Sequence, residues 1–255
     1  DVSELAQTSF VTDSRKFRLY DPRPINISTF YNIKTAALIL ESKVFPKLNT
    51  YFSISQNEIQ PLFDYTFVND GKNYTEYSIS SVLLGLQWNP FSNYMNTPLG
   101  VIEIEKRHPK FSLQYTQTIP DVVGNDFVFS KIDFKTFYEV PYLSGQKSSI
   151  LFQGGIAFGD VPLTHLYSVA PNNINRDAIL QRITFAGKNS FETMYFNEFF
   201  SNNYISFQTR HTFNKVKIAY KVKPEFSVVT RLAWGNMDKP EQHVGFIYKT
   251  LEKGL

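Results

Sequence analysis

From Asp126 to Val140 the chain reads DFVFSKIDFKTFYEV, and apolar and polar side chains alternate through all 15 residues. A strand has a period of two, so Val128, Ile132, Phe134, Tyr138 and Val140 fall on one face. Lys131, Asp133, Lys135 and Glu139 fall on the other. An ordinary strand runs roughly 5–6 residues, and few water-soluble sheets need one nearly three times that length. A strand that crosses a bilayer needs roughly 9–11 tilted residues within the hydrocarbon, plus extensions into loops. The pattern therefore predicts an all-β chain forming an antiparallel transmembrane β-barrel, or a large part of one. Such a barrel has long external loops and short periplasmic turns, and it resides in the outer membrane of a Gram-negative bacterium. Lys131, Asp133, Lys135 and Glu139 are the lumen-facing candidates, joined by Arg231 in a later strand.

Composition is compatible with this reading. Aromatic residues make up 16% of the chain, with 24 Phe and 15 Tyr against 2 Trp, and Phe and Tyr suit both pleated surfaces and interfacial girdles. The net charge of +3 comes from dispersed Lys and Arg, which argues against nucleic acid as a partner. With no cysteine, disulfides, thiolate catalysis and cysteine-based zinc sites are excluded. The densest apolar run, Ala36 to Leu40, is far short of the roughly 20 residues of a spanning helix. No signal peptide is visible at Asp1, so the expectation is a mature product or a fragment.

Residues 1–28 read as an arm or linker and 29–255 as a partial barrel. Strands are expected at 30–42, 50–56, 59–67, 74–88, 111–115, 126–140, 149–158, 204–213 and 225–235, eight to ten in all. Asp70-Gly71 supplies the positive φ angles of a hairpin turn. With up-and-down order from 126 onward, the turn at 143–147 and the link at 214–224 fall at one end. The long loops after Asp160 and after Gly235 fall at the other. Thr250 to Leu255 does not read as a closing strand, and an open edge cannot face lipid, so a truncated chain is expected.

The candidates for chemistry are weak. His108, His165, His211 and His243 lack metal-ligand spacing, and no cofactor is implied. Three of them read as loop residues, and His211 as an interfacial residue beside Phe213. Glu103 and Glu105 share a face beside Lys106 and Arg107, as solvated charges do. Asp160, His165 and Ser168 lack the elbow of a hydrolase triad, and Gly187 to Ser190 lacks the upstream glycine of a phosphate loop. The segment with functional character is Ile183 to Tyr204. It carries Phe185, Lys188, Phe191, Glu192, Tyr195 and Glu198 inside the longest loop, and aromatics this dense are expected to dock into the lumen or over its mouth.

That segment, with RLAWGN (231–236), HPKFSLQYTQTIPDVVGNDFVFSKIDF (108–134) and FGDVPLTHLY (158–167), resembles a large Bacteroidota outer-membrane family. Its members join a domain of unknown function to an N-terminal carboxypeptidase-regulatory-like domain. The resemblance spans roughly 45–250 and implies an outer-membrane barrel, here without that N-terminal domain and the final strands. The leading expectation is a non-enzymatic barrel with a structural, pore or assembly role. Its partners would be outer-membrane lipid and other envelope proteins or further segments of the same barrel. The alternatives are a soluble or surface β-rich glycan-binding module, whose strands should be shorter, and an outer-membrane enzyme with a loop-borne site.

Overall fold

The computed structural model describes residues 2–4, 30–98, 100–120, 124–168, 171–173, 191–195, 199–217 and 223–245. Their principal element is a nine-stranded sheet: β1 (Val2–Glu4), β2 (Phe30–Phe45), β3 (Leu48–Pro61), β4 (Tyr77–Trp88), β5 (Lys110–Thr118), β6 (Phe129–Pro141), β7 (Lys147–Gly159), β8 (Asn203–Thr212) and β9 (Ser227–Asn236). Each strand pairs antiparallel with the next in the chain, so spatial order equals sequence order. β1 and β9 form the two edges and do not pair with each other; the sheet is not closed. No helix among the described residues is long and apolar enough to cross a membrane, which says nothing of crossing by strands.

The strands are long because their alternation is uninterrupted. β2 runs 16 residues, β3 14, and β6 and β7 13 each. β3 stops at Pro61, which has no N–H to donate to a ladder. The expected strand 59–67 is therefore broken. Its second half, Thr66–Asn69, belongs to a small ribbon with Lys72–Tyr74, turned at Asp70 (φ 50°) and Gly71 (φ 74°). Two consecutive positive φ angles are what a tight hairpin requires.

Register exposes the unusual feature of the sheet. One row across it runs Leu86, Leu113, Phe134, Gly154, Ile205, Trp234, and the adjacent row, on the opposite face, runs Gly85, Gln114, Asp133, Gly155, Tyr204, Gly235. In the first row Leu113 is 43% exposed, Ile205 49% and Trp234 44%. In the second, Gln114 is 7% exposed and Asp133 1%. Water-soluble sheets bury the apolar face and expose the polar one. This sheet does the reverse.

Connections sort by end. The links β2–β3, β4–β5, β6–β7 and β8–β9 lie at one end, which we call the turn end. Those after β3, β5, β7 and β9 lie at the other, the cap end. The turn end departs from the short-turn expectation. The β4–β5 link holds its own ribbon, Asn93–Thr97 against Gly100–Glu105, while β2 and β3 are joined through Pro46 and Lys47 alone. The loop between Asp160 and Asn203, expected to lack strands, carries four short ones: Tyr167–Ser168, Pro171–Asn173, Phe191–Tyr195 and Phe200–Ser201.

The sheet curls toward its polar face. Residues just beyond β9, His243 and Val244, pair with Phe67 and Thr66 in the β3–β4 connection, bridging strands that lie far apart in sheet order. Glycine creates room inside. A Cβ on Gly155 would stand 2.6 Å from the Tyr167 ring, which lies across it, and one on Gly235 would stand 2.4 Å from Ser201 Oγ.

A Gly155→Val substitution is expected to displace Tyr167 and lower the chemical-denaturation midpoint by the equivalent of about 1–3 kcal/mol. Gly85→Ala, where the new methyl meets nothing nearer than 3.4 Å, should leave the midpoint close to that of the unmodified chain. Equal midpoints for the two variants would contradict the proposed fit of ring to glycine.

Candidate functional site

All five lumen-facing candidates stand on the enclosed polar face. Lys131 is in register with Ala157, Asp133 with Gly155, Lys135 with Gln153 and Glu139 with Ser149, while Arg231 faces Gln208. Ile132, Phe134, Tyr138 and Val140 point the other way, as the alternation predicts. A carboxylate as buried as Asp133 requires compensation. Lys131, two residues along the same face, is the cation beside it, but neither carboxylate oxygen has a hydrogen-bond partner among the described residues, and the Tyr167 hydroxyl donates to the Ile156 carbonyl instead. Lys131 is in turn fixed: its Nζ donates to the His165 carbonyl at 2.8 Å and lies 4.3 Å from the centre of the Tyr167 ring. That geometry combines a charged hydrogen bond with a cation–π contact.

These contacts tie the wall to an apolar cap. At the cap end, Ile59, Ile79, Phe129 and Tyr204 from the strands join Phe67, Phe127, Leu163, Leu166, Tyr167, Phe200 and Met237 from the connections in one buried cluster. Phe127 is its hub, edge-on to Phe67, Tyr74 and Tyr77 at centroid distances of 4.8, 4.9 and 5.3 Å. Edge-to-face pairs of this kind add directionality to apolar burial.

Several polar groups inside the cap are paired, whereas Ser201 Oγ is buried without a hydrogen-bond partner among the described residues. Tyr65 Oη lies 2.8 Å from His243 Nδ1 and accepts the Leu163 N–H at 3.0 Å. Tyr77 Oη meets Thr164 Oγ1 at 2.8 Å. At the rim, Asp160 accepts hydrogen bonds from Lys239 Nζ (2.7 Å), Gln242 Nε2 (3.2 Å) and Asn69 Nδ2 (3.4 Å). Partial burial alone would raise the Asp160 carboxyl. The bonds from Lys239, Gln242 and Asn69 outweigh that and hold it below the usual carboxylate range. Asp160 is thus a clasp between the connections after β3, β7 and β9.

The loop-docking candidates divide. Phe191 is buried against Ala233, with Phe199 packed beside them. Ala233 is on the polar face, in register with Ser206, so Phe191 rests on the inner surface of β8 and β9. Glu192 and Tyr195 lie in the strand Phe191–Tyr195. Phe185, Lys188 and Glu198 lie outside the described residues, as does Gly187 to Ser190.

The remaining candidates have these partners. His165 Nδ1 lies 3.0 Å from Thr164 Oγ1, and Asp160 accepts from Lys239 in the clasp. Glu103 pairs with Lys110 and Glu105 with Arg107, both at 2.9 Å. His211 lies against Ser148 Oγ at 2.8 Å and packs edge-on to Phe213. His243, expected in a loop, is instead buried in a short strand. Among the described residues there is no group of three metal-ligating side chains.

The sequence pointed to a covering segment within 183–204, which contributes Phe200 and Tyr204 to the cluster, but not to the other residues that build the cap. Tyr65, Phe127, Leu163, His243 and Asp160 come from different connections with no shared period. The one available signal was the aromatic content of those connections.

Burial lowers the His243 imidazole to about 4 and, with Lys131 adding a smaller like-charge effect, the His165 imidazole to about 3. Both folded values lie below the unfolded value near 6.5, so the unfolded chain binds the protons first as pH falls. The stability conferred by the neutral rings is complete above about pH 6.5 and declines as pH drops toward 4. For His243 the loss is expected to reach about 3 kcal/mol. Denaturation midpoints measured between pH 7 and 4 check this, and His243→Gln should flatten part of the decline.

Residues 25–223 match the family model described as the C-terminal domain of a family of unknown function, DUF5686. No curated protein matches the chain.

Proposed function

The chain belongs to the DUF5686 C-terminal domain family, whose function is unknown, and from that premise and the polarity of its sheet we propose that it is the wall of an outer-membrane β-barrel in a Gram-negative bacterium. The apolar face meets lipid tails and the polar face lines the interior, where the cap and the Phe191 segment act as a stopper. The role is structural or in envelope assembly, without catalysis. Lipid is the first partner, and other envelope proteins or further segments of the same barrel complete the open edges.

One observation carries this reading: the exposed apolar face over β2 to β9, set against a polar face that is enclosed over β3 to β8. Leu38, Leu40, Ile54, Leu84, Leu113, Ile132, Ile205, Val228 and Trp234 each expose 40% or more of their surface. Contiguous apolar area on that scale is a surface meant for a partner. Lipid suits it because it spans neighbouring strands without interruption, and strands of 10 to 16 residues, excepting β1 and β5, suffice to cross hydrocarbon. The cap favours a closed lumen over a free pore, because an apolar cluster fills the interior at one end.

Membrane fractionation of cells expressing the protein tests the reading, with recovery in the outer membrane expected. Phe134→Arg places a cation near mid-strand on the lipid face, at a cost of about 2–4 kcal/mol. It should sharply reduce membrane-inserted protein, while Lys135→Ala on the opposite face should insert almost normally. A monodisperse protein in detergent-free buffer, or equal mild effects of the two changes, would overturn the proposal.

A further inference from the structure

The two ends of the sheet differ in charge. Among described residues in the connections, the cap end holds the carboxylates Asp64, Asp70, Glu76, Asp126, Asp160, Asp238 and Glu241 against two cations, Lys72 and Lys239. The turn end holds Lys47, Lys106, Arg107, Lys215, Lys217 and Lys223 against Glu103, Glu105 and Glu225. Two of those three carboxylates are already neutralised, Glu103 by Lys110 and Glu105 by Arg107. Lys106, Lys215, Lys217 and Lys223 are exposed, and Lys43 and Lys147 add charge at the adjoining strand ends.

The same end carries an apolar fringe. Phe45, Trp88, Phe91 and Phe226 are each at least half exposed. Trp88 stacks on Phe111 at 5.5 Å, and Lys47 Nζ donates to the Pro90 carbonyl two residues from it. Aromatic rings with cations just beyond them match a bilayer interface, where rings sit at headgroup depth and cations reach phosphate. The cap end would repel the same phosphates.

We propose that the turn end docks on anionic phospholipid headgroups, and that this charge asymmetry sets which way the protein sits in its membrane. The inference rests on the barrel reading. Each cation near the surface favours anionic lipid by about fivefold, and the attraction falls off within a Debye length of about 3 Å in 1 M salt.

The chain's two tryptophans make the test direct, because Trp88 closes β4 at the turn end and Trp234 lies near the cap end of β9. Trp234→Phe and Trp88→Phe each leave one emitter. Each is reconstituted into phosphatidylcholine vesicles containing an equal fraction of acyl-brominated phosphatidylglycerol or acyl-brominated phosphatidylcholine. Trp88 should be quenched by the brominated phosphatidylglycerol about twofold or more above the brominated phosphatidylcholine, and Trp234 equally by both. The Trp88 preference should vanish in 1 M salt, and should shrink when Lys47→Gln, Lys106→Gln and Arg107→Gln are combined. Equal quenching of Trp88 by both lipids at low salt, or a preference unmoved by salt, overturns the headgroup proposal while leaving the barrel intact. If neither tryptophan is quenched by any brominated lipid, the barrel reading itself fails. The salt series on Trp234→Phe decides the matter even where the triple variant does not insert.

Discussion

Hydrogen bonding between neighbouring strands holds this wall together. In a soluble sheet the apolar faces of two layers drive assembly, but among the described residues no second layer lies against the apolar face here. What remains is the antiparallel ladder from β2 to β9, in which each strand satisfies the backbone of the next. In hydrocarbon an unpaired N–H or C=O is costly, so the ladder is the cohesive element and, on the barrel reading proposed above, the condition for placing the sheet in lipid. The side-chain inversion follows from it. Once the ladder is in place, the alternation sends Phe134 and Ile205 to one medium and Asp133 and Gln114 to another.

The polar interior is ordered, and that order depends on the cap. Lys131 holds the His165 carbonyl and the Tyr167 ring, Tyr167 rests on Gly155, and Gly155 is the register partner of Asp133. A buried charge, an aromatic ring and a missing side chain thus form one assembly. A Cβ at Gly155 would collide with the ring, and Lys131 is the cation beside the buried Asp133 carboxylate, whose oxygens have no hydrogen-bond partner among the described residues. The apolar cluster above them excludes water from that end, which strengthens each electrostatic contact below it.

The alternation of the wall was legible in the sequence and most of the residues that build the cap were not, for a physical reason. Period-two alternation is a local property, so DFVFSKIDFKTFYEV declares its faces without knowledge of its neighbours, and the facing of Lys131 and Phe134 follows. The break at Pro61 was legible in principle, since proline cannot donate to the ladder, yet the continuing apolar alternation through Phe63, Tyr65 and Phe67 disguised it. Strands of two to five residues in the connections leave too short a pattern to register. Tyr65 and His243 meet across 178 positions of sequence, and no local pattern reports such an encounter. Gly155, inside β7, is the seat of Tyr167, a fit that only the fold reveals.

The pairing of His243 and Val244 with Thr66 and Phe67 bears on the order in which the molecule assembles. Every ladder contact of the wall joins strands adjacent in the chain, so the meander zips up from neighbours. That ribbon, with the Tyr65–His243 contact and the Asp160 clasp, ties the far side of β9 back to the β3–β4 connection, and contacts so distant in sequence form slowly. The lid therefore rests on the least local contacts of the fold, and the wall on the most local.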